Sequence, residues 1–106
     1  MEKREMGWAD PYVASLARGE TVRFRPSGRS MEGRVSHRDL VEVAPAASDP
    51  RKGDVVLCRV GGRQCLHLVT AVEGRRFQIS NNRGKVNGWT GRDCIYGVLA
   101  RVNPAD

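Results

Sequence analysis

The chain reads as a mainly β domain with one short N-terminal helix. Three observations carry this reading. Beyond residue 20 the apolar residues fall in short runs with the two-residue alternation of strands. Gly, Pro, Asn and Asp punctuate those runs. Only one stretch, opening at Asp10-Pro11, carries helix start and stop signals. At 106 residues, 40% apolar and 28% charged, the chain fits one domain that can bury a core without disulfides or metals. The expected organisation is an N-terminal segment over 1–20 and a β domain over 21–103.

The helix is expected to start with Asp10 capping the free N–H groups and Pro11 in the first turn, and to stop at Gly19. Tyr12, Val13 and Leu16 form its apolar stripe. Strands are expected over 21–25, 39–44, 54–60, 63–72, 76–80 and 94–102, with 81–93 as a long loop. Gly61-Gly62 predicts a two-residue hairpin turn. Counting outward from it pairs Val60 with Arg63, Arg59 with Gln64, Cys58 with Cys65 and Val56 with His67. Cys58, Cys65 and His67 then share one face of the hairpin.

Composition narrows the function classes. No apolar run approaches the roughly 20 residues of a membrane helix, and the charged N-terminus leads into no secretory h-region. A cytoplasmic protein without a membrane partner is the expectation. Three cysteines without Cys-x-x-Cys spacing specify neither a disulfide framework nor a common zinc knuckle, so reduced thiols are expected. A metal held by Cys58, Cys65 and His67 would need a fourth ligand that the hairpin does not supply. No metal and no cofactor are therefore expected. The net charge of +6 comes from arginines scattered through the chain, which disfavours nucleic acid as the partner. Arg23, Arg25, Arg29, Arg34 and Arg38 are denser and would give the first loop a positive rim suited to an acidic segment.

That loop, Val22-Arg-Phe-Arg-Pro-Ser-Gly-Arg-Ser-Met-Glu-Gly33, holds the candidate nucleophile. A strand delivers Ser30 into a turn bracketed by Gly28 and Gly33, where backbone N–H groups at Gly28, Ser30 and Met31 can approach an oxyanion. A plain structural turn has the same composition. A serine hydroxyl needs a base, and the chain has two histidines. His37 lies in a polar stretch and reads as solvent-exposed. His67 lies mid-strand, where it is either a satisfied core residue or the base. Lys52 and Lys85 sit in polar turns, where an ammonium keeps its proton.

These segments resemble the LexA-like and signal-peptidase-like serine peptidases from about residue 21 to 102. The resemblance rests on Gly28-Arg-Ser-Met31, Arg38-Asp-Leu-Val-Glu-Val43, Lys52-Gly-Asp-Val-Val56, Leu66-His-Leu-Val69, Ser80-Asn-Asn82 and Tyr96-Gly-Val98, in that order. It implies a β domain of twisted sheets or a partial barrel, with Ser30 as nucleophile and His67 as base, in the histidine variety of the family. Two positions depart from the pattern: Gly33 replaces a proline, and Ser80 stands where an acid is expected. Asn81, Asn82 or Asp93 is then left to orient His67. Arg29 and Trp89 are candidates for the substrate cleft, although packing of the loop onto the β core is the more ordinary role of Trp89.

The implied function is a soluble serine endopeptidase performing limited proteolysis or maturation of a protein or peptide partner. The alternative is a catalytically weak or inactive module of the same fold that binds an extended peptide as an added strand.

Overall fold

Residues 7–26, 31 and 33–105 are described by the structure, a computed structural model. Helix α1 (Asp10–Ala17) is followed by strands β1 (Val22–Phe24), β2 (Val41–Pro45), β3 (Val55–Val60), β4 (Arg63–Glu73), β5 (Arg76–Ser80), β6 (Val86–Gly91) and β7 (Ile95–Val102), with a 3-10 turn at Arg92–Cys94. The strands form one antiparallel sheet in the order β1-β2-β7-β3-β4-β5-β6. The protein is mainly β with one short helix among the described residues.

The β3–β4 hairpin follows directly from its two glycines. Gly61 and Gly62 have φ of 56° and 78°, the left-handed pair that a two-residue turn needs to match strand twist. The register is Val60↔Arg63, Arg59↔Gln64, Cys58↔Cys65 and Val56↔His67, as counted from the sequence. Strand alternation then divides the apolar residues between two cores. Val55, Leu57 and Leu66 pack with Leu16, Phe24 and Val41 on one face. Val56, Cys58, Val69, Phe77 and Ile79 pack on the other. Phe77, Leu57 and Ile79 are fully buried, each contributing about 1.5–3 kcal/mol by leaving water. Leu16 joins α1 to the first core.

The sheet curls so that β6 returns over β3. Thr90 Oγ1 donates to the Arg59 carbonyl at 2.7 Å. Gly88 crosses so near β3 that a Cβ there would stand 3.3 Å from Val60 Cγ2.

Three expectations are corrected. The 81–93 stretch is a tight turn followed by β6, not a long loop. Asn81 Oδ1 accepts the N–H groups of Arg83 and Lys85, each at 2.9 Å, and this turn starts a strand whose glycines hide its alternation. Asp10 is the first helical residue, and Ala9 holds the N-cap position. The Asp10 carboxylate instead accepts Gly7 N–H at 2.9 Å and Gln64 Nε2–H at 2.6 Å. Asp39 precedes β2, bonded to Ser36 N–H at 2.8 Å beside Arg38, whose φ of 66° breaks extended geometry.

Candidate functional site

A cavity of about 450 Å³ opens where α1, β1 and β4 meet. Trp8, Tyr12 and Phe24 make one wall: Tyr12 and Phe24 stack with ring centroids 4.5 Å apart, and Trp8 meets Phe24 edge-on at 5.7 Å. Gln64 fixes this wall to β4. Its Oε1 accepts Ala9 N–H at 2.8 Å, and its backbone carbonyl accepts the Trp8 indole N–H at 3.1 Å. The other side carries Met31 and Val35 from the first loop and Cys65, Leu66 and His67 from β4.

Part of β4 is an open strand edge at this cavity. Residues 63–67 pair with β3, whereas β5 reaches β4 only from Leu68 onward. Val69 bonds the β3 side through both its N–H, to the Asp54 carbonyl, and its C=O, from Gly53 N–H, each at 2.8 Å. By strand alternation Cys65 and His67 also bond β3, while Gln64 and Leu66 turn their backbone groups the other way. No strand pairs with Leu66 on that side among the described residues.

His67 is half-buried, and its Nδ1 lies 2.7 Å from Asn87 Oδ1. An amide oxygen only accepts, so Nδ1 carries the proton in the neutral ring and Nε2 the lone pair. Asn87 reaches the ring because of a bulge. Ser80 pairs with Val86 and Ile79 with Gly88, leaving Asn87 as the extra residue, and β5 ends one position short of His67. Burial works against charging the ring, but the Cys65 thiol and the Asn87 amide outweigh it, so the His67 pKa lies above its ordinary value. Cys65 sits 3.8 Å, sulfur to sulfur, from Cys58. The Cys58 hydrogen bond and the neighbouring imidazole lower the Cys65 pKa, while that same shared proton and burial raise Cys58.

Among the expected site residues, His67 and Met31 line the cavity. Gly28, Arg29 and Ser30 lie outside the described residues. The partner on His67 Nδ1 is Asn87, in place of the expected Asn81, Asn82 or Asp93. Asn81 caps its own turn, Asn82 Oδ1 accepts Arg34 Nε–H at 2.9 Å, and Asp93 is exposed in the 3-10 turn. Ser80 bonds Thr70 Oγ1 at 2.8 Å. Trp89 pairs opposite Gln78 on the edge strand β6 and does not line the cavity; Trp8 does. The arginine rim is partly neutralised, since Arg23 pairs with Glu42 at 3.0 Å, whereas Arg25 lines the cavity.

Among the described residues no group of three or more His, Cys, Asp or Glu side chains forms a metal-binding cluster, and no helix is long and apolar enough to cross a membrane. Trp8, Phe24, Gln64 and Asn87 escaped sequence reasoning. Only Trp8 and Phe24 carried a signal, as large aromatics flanking the helix.

Set against known proteins, the chain matches no family model and no curated protein.

Proposed function

We propose that the protein is a serine endopeptidase, resembling the LexA-like and signal-peptidase-like enzymes, that performs limited cleavage of a soluble protein partner in the cytoplasm. The observation that carries this reading is the His67 Nδ1 contact with Asn87 Oδ1 at 2.7 Å, made by a residue that borders the cavity also bordered by Met31, the residue directly after Ser30. In the proposed step His67 Nε2 takes the Ser30 Oγ proton as the oxygen bonds the substrate carbonyl carbon. Backbone N–H groups at Gly28, Ser30 and Met31 receive the oxyanion. The imidazolium then gives its proton to the leaving amine as the C–N bond breaks, and water releases the acyl group. Asn87 holds the tautomer throughout, accepting from Nδ1–H.

The open edge at Leu66 suits an extended substrate, which can pair its backbone with β4 while its side chains meet Trp8, Tyr12 and Phe24. A second reading, a module that holds such a peptide without cutting it, is favoured by the amide of Asn87 standing where a carboxylate would stabilise imidazolium more strongly.

The test incubates wild type and Ser30→Ala with a peptide library and candidate partner proteins and reads fragments by mass. Fragments from wild type alone support the endopeptidase. Equal binding by both proteins with fragments from neither overturns it in favour of the module.

A further inference from the structure

Cys58 and Cys65 form a second reactive group on the hairpin, independent of Ser30. They stand directly opposite each other, their sulfurs 3.8 Å apart, and their surroundings differ. Cys58 is fully buried in the second core, whereas Cys65 is partly exposed, lines the cavity and neighbours His67. We propose that this pair is an oxidative modification site, at which a hydroperoxide converts the two thiols into a reversible disulfide, Cys65 attacking and Cys58 resolving.

The chemistry follows from the asymmetry. A thiolate is the nucleophile, and the thiol beside an imidazole and only partly buried is the one that ionises and meets the oxidant. The directions of the two thiol pKa values agree with that division. Cys65 sulfur bonds the outer peroxide oxygen, the O–O bond breaks, and the departing oxygen leaves as an alcohol or water with a proton from the His67 imidazolium. Cys65 is then a sulfenic acid. Cys58 sulfur attacks Cys65 sulfur, the S–O bond breaks, and the hydroxyl leaves with the Cys58 proton as water. Two thiols and one hydroperoxide give one disulfide, one alcohol or water, and one water; the two electrons pass from sulfur to the peroxide.

The strand geometry makes the product labile. Strand alternation places Cys58 and Cys65 in a hydrogen-bonded pair, where Cα atoms stand about 5.5 Å apart, within disulfide range. The Cβ atoms of such a pair are about 5.5 Å apart, beyond the roughly 3.5–4.5 Å of a relaxed bridge. Closing the bond therefore pulls two hydrogen-bonded strands together, and a strained bridge is more easily reduced. The site thus behaves as a reversible sensor and not as a staple. Oxidation also removes the thiol that raises the His67 pKa, so the oxidised protein titrates His67 at lower pH.

The experiment uses the reduced full chain, treated with hydrogen peroxide, alkylated with iodoacetamide and measured by intact mass and tryptic mapping. Expected is the loss of two of the three alkylatable thiols, with the oxidised protein about 2 Da lighter before alkylation. The map should link fragments 53–59 and 64–75, dithiothreitol should restore all three thiols, and Cys94→Ser should lose both of its remaining thiols to the same link. In Cys58→Ser, dimedone should trap a sulfenic acid on Cys65. A wild-type protein that keeps three thiols, gains about 32 Da as a sulfinic acid on Cys65, or links Cys94 overturns the proposal. None of these readouts depends on cleavage of a substrate, so failure here and failure of the endopeptidase reading are distinguishable.

Discussion

Gly97, in the middle of β7, is where one added methyl group should cost most relative to its size. It lies between Pro45 of β2 and Leu57 of β3, with α1 packed over the same face. A Cβ there would stand 2.7 Å from the Ala44 carbonyl oxygen, 2.7 Å from Val43 Cγ1 and 3.0 Å from Leu16 Cδ1. The first is backbone in the centre of the sheet and cannot swing aside, so strand and helix must separate. Overpacking of this kind costs about 1–3 kcal/mol, and two contacts this short place Gly97→Ala in the upper half of that range. The smaller entropy of the unfolded alanine chain returns about 0.4–1 kcal/mol. The net expectation is a loss of about 1–2.5 kcal/mol, read as a lower urea midpoint and a fall in Tm of roughly 5–15 °C. Leu16→Ala removes one of the three contacts, so the double variant should lose less than the sum of the singles, by about 0.5 kcal/mol or more. A Gly97→Ala protein as stable as wild type would refute the packing of α1 and β2 on β7.

Two further outcomes test the hairpin and the base. Gly62 has φ of 78°, and a methyl group added there would meet nothing within 4 Å, so Gly62→Ala should cost about 1–2 kcal/mol through backbone conformation alone. Gly61→Asn, a residue at home in left-handed turns, should stay within about 0.5 kcal/mol of wild type by urea unfolding, and an equal loss in both would speak against this turn. If His67 is the base, cleavage should fall as acid protonates the ring, with the midpoint above the ordinary histidine value of about 6.5, because Cys65 and Asn87 raise the His67 pKa. Cys65→Ser should move that midpoint to lower pH, and a rate–pH profile unmoved by the substitution would separate the two side chains.

What could be read from the chain was whatever local chemistry decides. The Gly61-Gly62 turn set the β3–β4 register because no other short turn fits left-handed pairs so well, and that register alone brought Cys58, Cys65 and His67 to one face. Strand β6 was hidden because Gly88 and Gly91 interrupt its alternation, although the strand is held by pairing with β5 and by Thr90 crossing to Arg59. Asn87 was invisible for a sharper reason: its reach to His67 comes from a bulge, and nothing in Val86-Asn87-Gly88 announces which residue will be left unpaired. The aromatic wall joins residues 8, 12 and 24 through Gln64, contacts that span too much sequence for any periodicity to show.

The hairpin register therefore does more than place a strand. A slip of one residue would send Cys65 and His67 to the face of Leu57 and Leu66, and would put Leu66 and Leu68 where the imidazole now meets Asn87. The same slip would separate the sulfurs and turn a different set of backbone groups toward the open edge of β4. Both proposed chemistries, peptide cleavage at Ser30 and His67 and oxidation at Cys58 and Cys65, thus depend on a single two-residue turn. Their conditions differ all the same. Cleavage needs a neutral imidazole and so strengthens as pH rises through the His67 pKa, whereas oxidation needs the thiolate that the imidazole helps to form. A peroxide that consumes the Cys65 thiolate removes the group that raises the His67 pKa, which shifts the base toward its neutral form at a given pH. Oxidation at the hairpin should accordingly extend cleavage to lower pH, provided the strained bridge leaves Asn87 in contact with the ring.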